Sequence, residues 1–243
     1  VTLRRQSGAN VLVIGQQEEA AMALCAAALI SLAAQHPPGS AAFYCFDGSP
    51  ADSPLAGVFP RIRAALPHEV RLVEYRAVAD AMAELTGELS RRQSRGEQHP
   101  PAVYLLIYGL QRYRVLRKSE EAFGFSPRGA DAGPAVDRQF ADLLREGPPL
   151  GMHVIAWCDT PAAVERTLER ASLREFDHRV LFQMSASDSS NLIDSPLANK
   201  LGQNRALVYS EEHGTLEKFR PYGLPAREWL DRLRGHWAAR RLP

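Results

Sequence analysis

The first stretch whose residue types and spacing could do chemistry lies near the start of the chain. A short β-branched run, Val11–Ile14, ends in Gly15, and a helix is predicted to begin at about Glu18. A strand, a glycine turn and a helix N-terminus together present backbone N–H groups and the positive end of the helix dipole to an anion. The chemistry to expect of such a stretch is the binding of a phosphate-bearing ligand.

The side chains of this stretch differ from those that a phosphate-binding P-loop requires. On the pattern GxxxxGK[ST], Ala20 takes the second glycine, Ala21 the lysine and Met22 the Ser/Thr. No ammonium group is present to reach the β- and γ-phosphates, and no hydroxyl is present to ligate Mg²⁺. Glu18 and Glu19 place carboxylates in the first turn of the helix, where they would occupy the anion site from within. The pattern alone is weak, because an ordinary β–α unit gives the same layout.

Composition and charge limit the class of protein. The chain has 243 residues, of which 45% are hydrophobic and 23% charged, an ordinary composition for a globular protein with a sizeable core. The net charge of +1 gives no overall basic field that would indicate nucleic acid. The seven histidines show no metal-ligand spacing, so no metal site is expected. The three cysteines are predicted to be buried free thiols in a reducing, cytoplasmic compartment: Cys25, Cys45 and Cys158.

Two further expectations concern the chain as a whole. The longest apolar run, Ala20 to Ala34, is too short and too rich in alanine to be expected to span a bilayer. Because the chain starts at Val1 rather than at methionine, we expect it to be the C-terminal part of a longer protein. A membrane-anchored parent is left open by this expectation.

Alternating apolar strands and helices must position these residues. Residues 1–9 are predicted to form an edge strand and a turn that lead into the first core strand. The other predicted strands are Ala41–Phe46, Glu69–Tyr75, Ala102–Leu110, His153–Cys158 and Arg179–Met184, followed by a hairpin of Ala206–Tyr209 and Thr215–Phe219. The predicted helices are Glu18–Ala34, Val78–Arg92, Ala135–Glu146, Pro161–Arg170, a short one near Leu192, and one within residues 226–240. This alternation predicts one doubly wound α/β domain over residues 1–243, with its core at about residues 3–222.

Several landmarks occur in an order that resembles one family of motor proteins. They are the buried strand ending in Tyr108-Gly109, the stretch Leu150-Gly151-Met152-His153 closing on Asp159-Thr160-Pro161, the stretch Gly202-Gln203-Asn204-Arg205-Ala206-Leu207-Val208-Tyr209, and Phe219-Arg220-Pro221-Tyr222. This order resembles the FtsK/SpoIIIE/HerA branch of RecA-like P-loop ATPases, which includes the tandem ATPase domains of type VII secretion EccC proteins. The likeness covers roughly Leu3 to Tyr222.

The resemblance implies a RecA-like P-loop NTPase fold with a mostly parallel central sheet, helices on both faces, and a C-terminal hairpin and helix. In that family the buried strand ends in a Walker B acid, and the next strand closes on a polar sensor. This chain has Tyr108 at the first position and Asp159 at the second. The vestigial nucleotide pocket is therefore predicted to consist of Gly15, Gln16, Gln17, Glu18, Glu19, Ala20, Ala21, Met22, Tyr108 and Asp159.

Because the lysine, the hydroxyl and the acid are all missing, no catalytic residue and no cofactor is expected at this domain. ATP and Mg²⁺ are implied at sister domains instead. Three functions stay open: a non-hydrolysing assembly or regulatory module of an ATP-driven DNA translocase, an EccC-like secretion module that docks a substrate peptide in the emptied pocket, and a domain that still binds and weakly hydrolyses ATP. The implied partners are sister ATPase domains in a ring-forming homo-oligomer, with double-stranded DNA or a secreted protein as cargo.

A basic stretch after the fourth strand supplies the candidate partner or DNA contacts, which are Arg112, Arg114, Arg117 and Lys118. They could reach a neighbouring subunit's nucleotide, or contact DNA phosphates while Tyr113 stacks on a base. A solvated loop is the alternative. Two smaller predictions concern packing: Trp229 and Trp237 dock the last helix, and Asp188 or Ser189 caps the helix near Leu192.

Overall fold

The computed structural model describes residues 1–96, 100–118 and 135–240. Its centre is an eight-stranded sheet in the order β3-β2-β4-β5-β1-β6-β7-β8. The first six strands in the chain run parallel, whereas β7 and β8 are antiparallel. The strands are β1 (Val11–Ile14), β2 (Ala41–Asp47), β3 (Glu69–Val73), β4 (Ala102–Tyr108), β5 (Met152–Cys158), β6 (His178–Leu181), β7 (Ala206–Ser210) and β8 (Thr215–Phe219).

Helices cover both faces of the sheet. The helices are α1 (Glu18–Gln35), α2 (Val58–Ala65), α3 (Val78–Arg95), α4 (Val136–Glu146), α5 (Pro161–Thr167), α6 (Arg170–Arg174), α7 (Ala186–Ile193) and α8 (Arg227–Arg240). Buried residues of α1, α2 and α8 form one apolar cluster with the sheet, and those of α3, α4, α5 and α7 form the other. Every residue of β4 and β5 is buried, because both faces of these strands are covered. The predicted α/β fold, with its C-terminal hairpin and helix, is confirmed.

Helix α1 is long and apolar enough to pass a length-and-composition test for a membrane span, and among the described helices it alone does so. The core helix of a globular domain passes the same test. Met22, Cys25 and Leu29 are fully buried where α1 packs on the sheet. In this structure α1 is therefore a core helix.

The structure corrects several local predictions. Residues 1–9 form turns instead of an edge strand, and β3 and β8 are the edges of the sheet. Helix α2, whose buried Val58, Phe59, Ile62 and Ala65 lie on one helical face, was not predicted from the sequence. The sequence also predicts an irregular stretch over Gln111–Pro134, of which residues 119–134 lie outside the described residues.

Two predicted packing roles agree with the structure only in part. Trp237 is partly buried and packs against the core, as does Leu230, which is 5% exposed, whereas Trp229 is 41% exposed. The cap of α7 is Ser185, whose hydroxyl accepts a hydrogen bond from the Asp188 N–H, so neither Asp188 nor Ser189 caps this helix. The docking prediction is thus confirmed for Trp237 and wrong for Trp229, and the capping prediction is wrong.

Candidate functional site

The strand ends that the sequence analysis singled out meet at one edge of the sheet. β5 lies between β1 and β4, and Trp157 is in register with Val13 on one side and Tyr108 on the other. Along the chain, β1 is followed by β2, which lies on the β5 side of β1. In contrast, β5 is followed by β6, which lies on the other side of β1. In open α/β sheets, ligands bind at the carboxyl ends of strands where the connections diverge in this way.

An aromatic pair fills this edge. Tyr108 and Trp157 are both fully buried, and their rings stack with centroids 4.5 Å apart. Trp157 Nε1 donates a hydrogen bond to the Gly15 carbonyl oxygen at 3.0 Å, and Tyr108 Oη donates to the Glu18 carbonyl oxygen at 3.2 Å. A phosphate needs N–H donors at this place. Here the carbonyl oxygens of Gly15 and Glu18 accept hydrogen bonds from the side chains of Trp157 and Tyr108 instead.

The rest of the loop packs against apolar side chains. Ala21 and Met22 are fully buried in the same cluster as Trp157 and Phe182. Gly15 has φ +128°, and a Cβ there would lie 2.7 Å from the Phe182 Cβ. Glycine is thus required by the close approach of Phe182 as well as by the backbone conformation.

Arg112 covers the aromatic pair. Its guanidinium carbon lies 5.9 Å from the Tyr108 ring centroid and 5.8 Å from that of Trp157, within cation–π range. Nη1 donates to the Gly48 carbonyl oxygen at 2.5 Å, and Nη2 donates to Glu18 Oε1 at 2.8 Å. A cation of the same chain therefore pairs with a carboxylate in the first turn of α1.

Burial also fixes the protonation of neighbouring groups. It raises the pKa of Tyr108 far above its usual value, and the Glu18 carboxylate raises it further. The phenol thus stays neutral and available as a donor. Burial likewise raises the pKa of Cys25 to about 12 and that of Cys158 to about 12. Both groups are thiols at neutral pH, so neither is an activated nucleophile.

The side chains beside the loop do not fit Mg²⁺, which is usually held by one or two carboxylates together with water and phosphate oxygens. The Glu18 carboxylate is paired with Arg112, and the end of β4 carries the buried Tyr108. Within residues 1–96, 100–118 and 135–240, no group of three or more His, Cys, Asp or Glu could hold a metal ion either.

The other predicted pocket residues lie around the aromatic pair. Asp159, half-buried at the end of β5, accepts a hydrogen bond from Thr160 Oγ1 at 3.1 Å. Gln17 Oε1 accepts one from the Asn204 N–H at 3.2 Å. Gln16 and Glu19 are exposed. A cavity of about 480 Å³ beside the loop is lined by Gln17, Glu18, Glu19, Ala20, Ala23, Gln203, Asn204, Arg220, Pro221, Tyr222 and Gly223.

The four basic candidates are separated by the structure. Arg112 lies inside the site, whereas Arg114 and Lys118 are exposed. Arg117 Nη2 donates to the Gln111 carbonyl oxygen at 2.8 Å. Tyr113 is 1% exposed, so its ring is not available to stack on a base as the sequence analysis suggested. Its outer face is covered by Tyr75, at a centroid distance of 5.6 Å.

Trp157 was not predicted from the sequence as a member of this site. The available signal was a second large aromatic at the end of a buried strand, next to a strand ending in tyrosine where the resembled family has an acid. The pairing of Arg112 with Glu18 had no sequence signal, because the two residues are far apart in the chain.

Comparison with known proteins supports the fold. No protein-family profile and no curated protein matches the chain. Among solved structures, the conjugation coupling protein TcpA of pCW3, in its monomer form with ATPγS, is 12% identical at a TM-score of 0.63 and covers 93% of this chain. ATPases 2 and 3 of EssC from Geobacillus thermodenitrificans are 14% identical at a TM-score of 0.61, covering 96%.

The cytoplasmic domain of the type VII secretion ATPase EccC from Thermomonospora curvata is 16% identical at a TM-score of 0.63 and covers 95% of this chain. The chain spans 64% of the TcpA structure, 45% of the EssC structure and 28% of the EccC structure. The predicted likeness to FtsK/SpoIIIE-type and EccC domains is thus confirmed at the level of the fold: this chain has the RecA-like fold of these ATPase domains.

Proposed function

We propose that this domain is a non-hydrolysing module of a larger ATP-driven translocase, where it shapes the assembly or regulates active sister domains. The observation that carries the proposal is the buried aromatic pair of Tyr108 and Trp157, beside the loop that the resemblance assigns to phosphate binding. Arg112 covers this pair and forms an ion pair with Glu18. Residues of the same chain thus satisfy the groups of this loop.

Magnitudes support this proposal over weak ATP hydrolysis. A buried aromatic side chain removes about 150–250 Å² from water, which at about 25 cal/mol per Å² amounts to about 4–6 kcal/mol per ring. Expelling both rings would cost on the order of 8–12 kcal/mol. Micromolar binding provides only about 8 kcal/mol. A nucleotide that lacks a lysine and Mg²⁺ to contact would therefore not displace them.

Cargo, partners and cofactors follow from the likeness alone. TcpA is a conjugation coupling protein, which favours DNA as cargo, and EccC is a type VII secretion ATPase, which favours a protein. We propose DNA as the cargo of the parent protein, with ATP and Mg²⁺ bound at sister domains. We also propose that this domain is cytoplasmic and that the parent protein forms a ring of several copies.

The alternative is an EccC-like module that docks a substrate peptide. The open cavity of about 480 Å³ beside Gln17 and Glu19 favours it, because this part of the predicted pocket is not filled. Tyr222 on its border is 82% exposed. A DNA affinity that falls steeply with salt would favour DNA over a peptide.

Calorimetric titration of the 243-residue chain with Mg-ATP and Mg-ADP tests the proposal. We expect no binding heat up to millimolar nucleotide. Arg112→Met serves as the informative variant, since it removes the cover and leaves the aromatic pair, and we expect no binding there either. Saturable binding by the unmodified chain would overturn the proposal and support weak hydrolysis.

A further inference from the structure

A stack of aromatic rings leads from the core to the surface at the carboxyl edge of the sheet. Phe46, near the end of β2, is fully buried, and its ring centroid lies 5.8 Å from that of Tyr113. Tyr113 follows β4 and is 1% exposed. Tyr75 follows β3 and lies over Tyr113, with the two rings at 17° to one another and their centroids 5.6 Å apart. The stack thus ends at the surface on Tyr75.

The strand order explains why these rings meet. β2 lies between β3 and β4 and is parallel to both, so the segments that follow β3 and β4 emerge at one edge, on either side of the end of β2. Tyr75 begins a short 3-10 helix that ends at Ala77, and Tyr113 lies between two others, Leu110–Arg112 and Arg114–Leu116. Both aromatic residues are therefore attached to the sheet by short ordered connections.

Tyr75 has the properties of a surface on which another flat ring can stack. The residue is 56% exposed, although one face of its ring is covered by Tyr113. The other face is left to solvent. Because Tyr113 supports the ring from below, little side-chain freedom is lost when a second ring stacks on the free face. A preorganised aromatic surface of this kind favours binding.

The chain around Tyr75 is basic. The segments 74–76 and 111–118 contain one carboxylate, Glu74, and five cationic side chains, which are Arg76, Arg112, Arg114, Arg117 and Lys118. Three of these cations are exposed, and within the described residues their side chains have no hydrogen bond or ion pair: Arg76, Arg114 and Lys118. Unpaired cations beside a free aromatic face can bind the phosphates of a ligand whose bases stack on the ring.

Single-stranded nucleic acid fits this arrangement better than a duplex or a protein. Proteins that bind single strands combine cations along the backbone with aromatic rings on which bases stack. In a duplex the bases stack on one another, so their faces are not available to Tyr75. The core of a protein interface is depleted in charged residues, whereas charged side chains flank this ring in the chain.

We propose that Tyr75 is a base-stacking platform for single-stranded DNA, and that Arg76, Arg114 and Lys118 contact the phosphates of the strand. The proposal rests on DNA as the proposed cargo, and it adds the contact surface and the form of the DNA. The sequence analysis gave the stacking role to Tyr113. That ring lies inside the stack and supports the ring that takes this role.

Fluorescence anisotropy of the 243-residue chain with a labelled oligo(dT) of about 15 nucleotides tests the platform. We expect Tyr75→Leu, which keeps an apolar cover over Tyr113, to weaken binding about fivefold to a hundredfold, because it loses one stacked base. Tyr75→Phe keeps the ring and should bind within about twofold of the unmodified chain. Tyr222→Leu is the matched control at another exposed tyrosine and should bind as the unmodified chain does.

A salt titration tests the phosphate contacts. The affinity should fall with salt, and Arg76→Gln/Arg114→Gln should reduce the slope of log K against log salt by about 1.4, at about 0.7 for each contact. Arg227→Gln/Arg232→Gln is the control on α8, where both arginines are exposed. It should leave the slope unchanged.

Photo-crosslinking gives a local readout that does not depend on a variant. An oligomer that carries 5-iododeoxyuridine should attach to Tyr75, as mapped by mass spectrometry. Equal affinity of the Tyr75→Leu and unmodified chains, or a duplex of the same length that binds as tightly as the single strand, would overturn the platform. A duplex preference would still leave DNA as the proposed cargo, and no binding of either form would count against both. The nucleotide titration decides the non-hydrolysing role independently.

Discussion

Tyr108, the residue that the resemblance aligns with the family's acid, has the contacts of a core residue. An aspartate there could ligate Mg²⁺. The tyrosine instead stacks on Trp157 and donates to the Glu18 carbonyl oxygen. The tyrosine at this position is thus a part of the core. Arg112, four residues further along the chain, covers the pair and forms an ion pair with Glu18.

Replacing Tyr108 by phenylalanine isolates the hydroxyl. We expect Tyr108→Phe to lower the free energy of unfolding by about 1 kcal/mol, because the Glu18 carbonyl loses a donor while the ring packing is kept. Urea denaturation measures this change. Tyr222→Phe is the matched control, since Tyr222 is 82% exposed, and it should have no measurable effect. Equal effects of the two variants would contradict the buried hydrogen bond.

Replacing Arg112 tests the cover. Arg112→Met loses the hydrogen bonds to Gly48 and Glu18. We expect it to lower the free energy of unfolding by about 1–2 kcal/mol. The ion pair with Glu18 contributes little to this value because it is partly exposed to solvent. Arg114→Met, at an exposed neighbouring arginine, should stay within about 0.5 kcal/mol. Chemical denaturation at low and high salt checks both values. An Arg112 variant as stable as the Arg114 variant would show that the cover does not contribute to stability.

The register of the strands holds the residues of the candidate site in place. β4 and β5 pair in parallel with Tyr108 opposite Trp157, which brings the two rings together. β1 is fixed beside β5 by Asn10, which is fully buried: its Nδ2 donates to the carbonyl oxygens of Leu144 and Glu175, and its Oδ1 accepts from the Val154 N–H. The position of the loop after β1 relative to the aromatic pair is therefore fixed.

The last helix provides a test at this scale. Leu230 docks α8 on the sheet face that carries α1 and α2, so Leu230→Ala should lower the free energy of unfolding by about 2–3 kcal/mol. Trp229 lies next to it and is 41% exposed, so Trp229→Ala should cost less than about 1 kcal/mol. Thermal and urea denaturation of both variants measure the order. A larger loss for Trp229 would restore the docking role that the sequence analysis gave it.

The whole molecule is held at both ends of its sheet by hydrogen bonds between distant parts of the chain. At the carboxyl ends of the strands, Tyr108 Oη donates a hydrogen bond to the Glu18 carbonyl oxygen, and at the amino ends His153 Nδ1 donates one to the Ala9 carbonyl oxygen.

Global stability should depend on pH in two separate ranges. Burial lowers the pKa of both His36 and His153, and this gives stability that is complete above about pH 6.5 and declines as the pH falls below this value. Hydrogen bonds and charges from Arg91 and Arg92 lower the pKa of Glu88 to about 2. Its contribution is present above about pH 4.3 and is lost as the pH falls towards 2. Urea denaturation from pH 8 to pH 3 should show both declines, and a flat profile between pH 7 and pH 5 would contradict the first.

Much of the fold could be predicted from the sequence, because strands buried on both faces are continuous apolar runs and the helices between them have their own start and stop signals. The α2 helix was not predicted because it is short and carries Pro60 near its start. The false strand in residues 1–9 arose because a segment crossing a sheet edge and an edge strand share the same short mixture of polar and apolar residues.

For the candidate site, the sequence by itself determined the side chains: at the positions that the resemblance assigns to a lysine, a hydroxyl and an acid, the chain has Ala21, Met22 and Tyr108. Only the tertiary structure decided what takes their place. The stacking of Tyr108 on Trp157, the pairing of Arg112 with Glu18 and the stacking of Tyr75 on Tyr113 all join distant parts of the chain. Such contacts depend on strand order and register, which are set by the packing of the entire sheet and not by local residue preference.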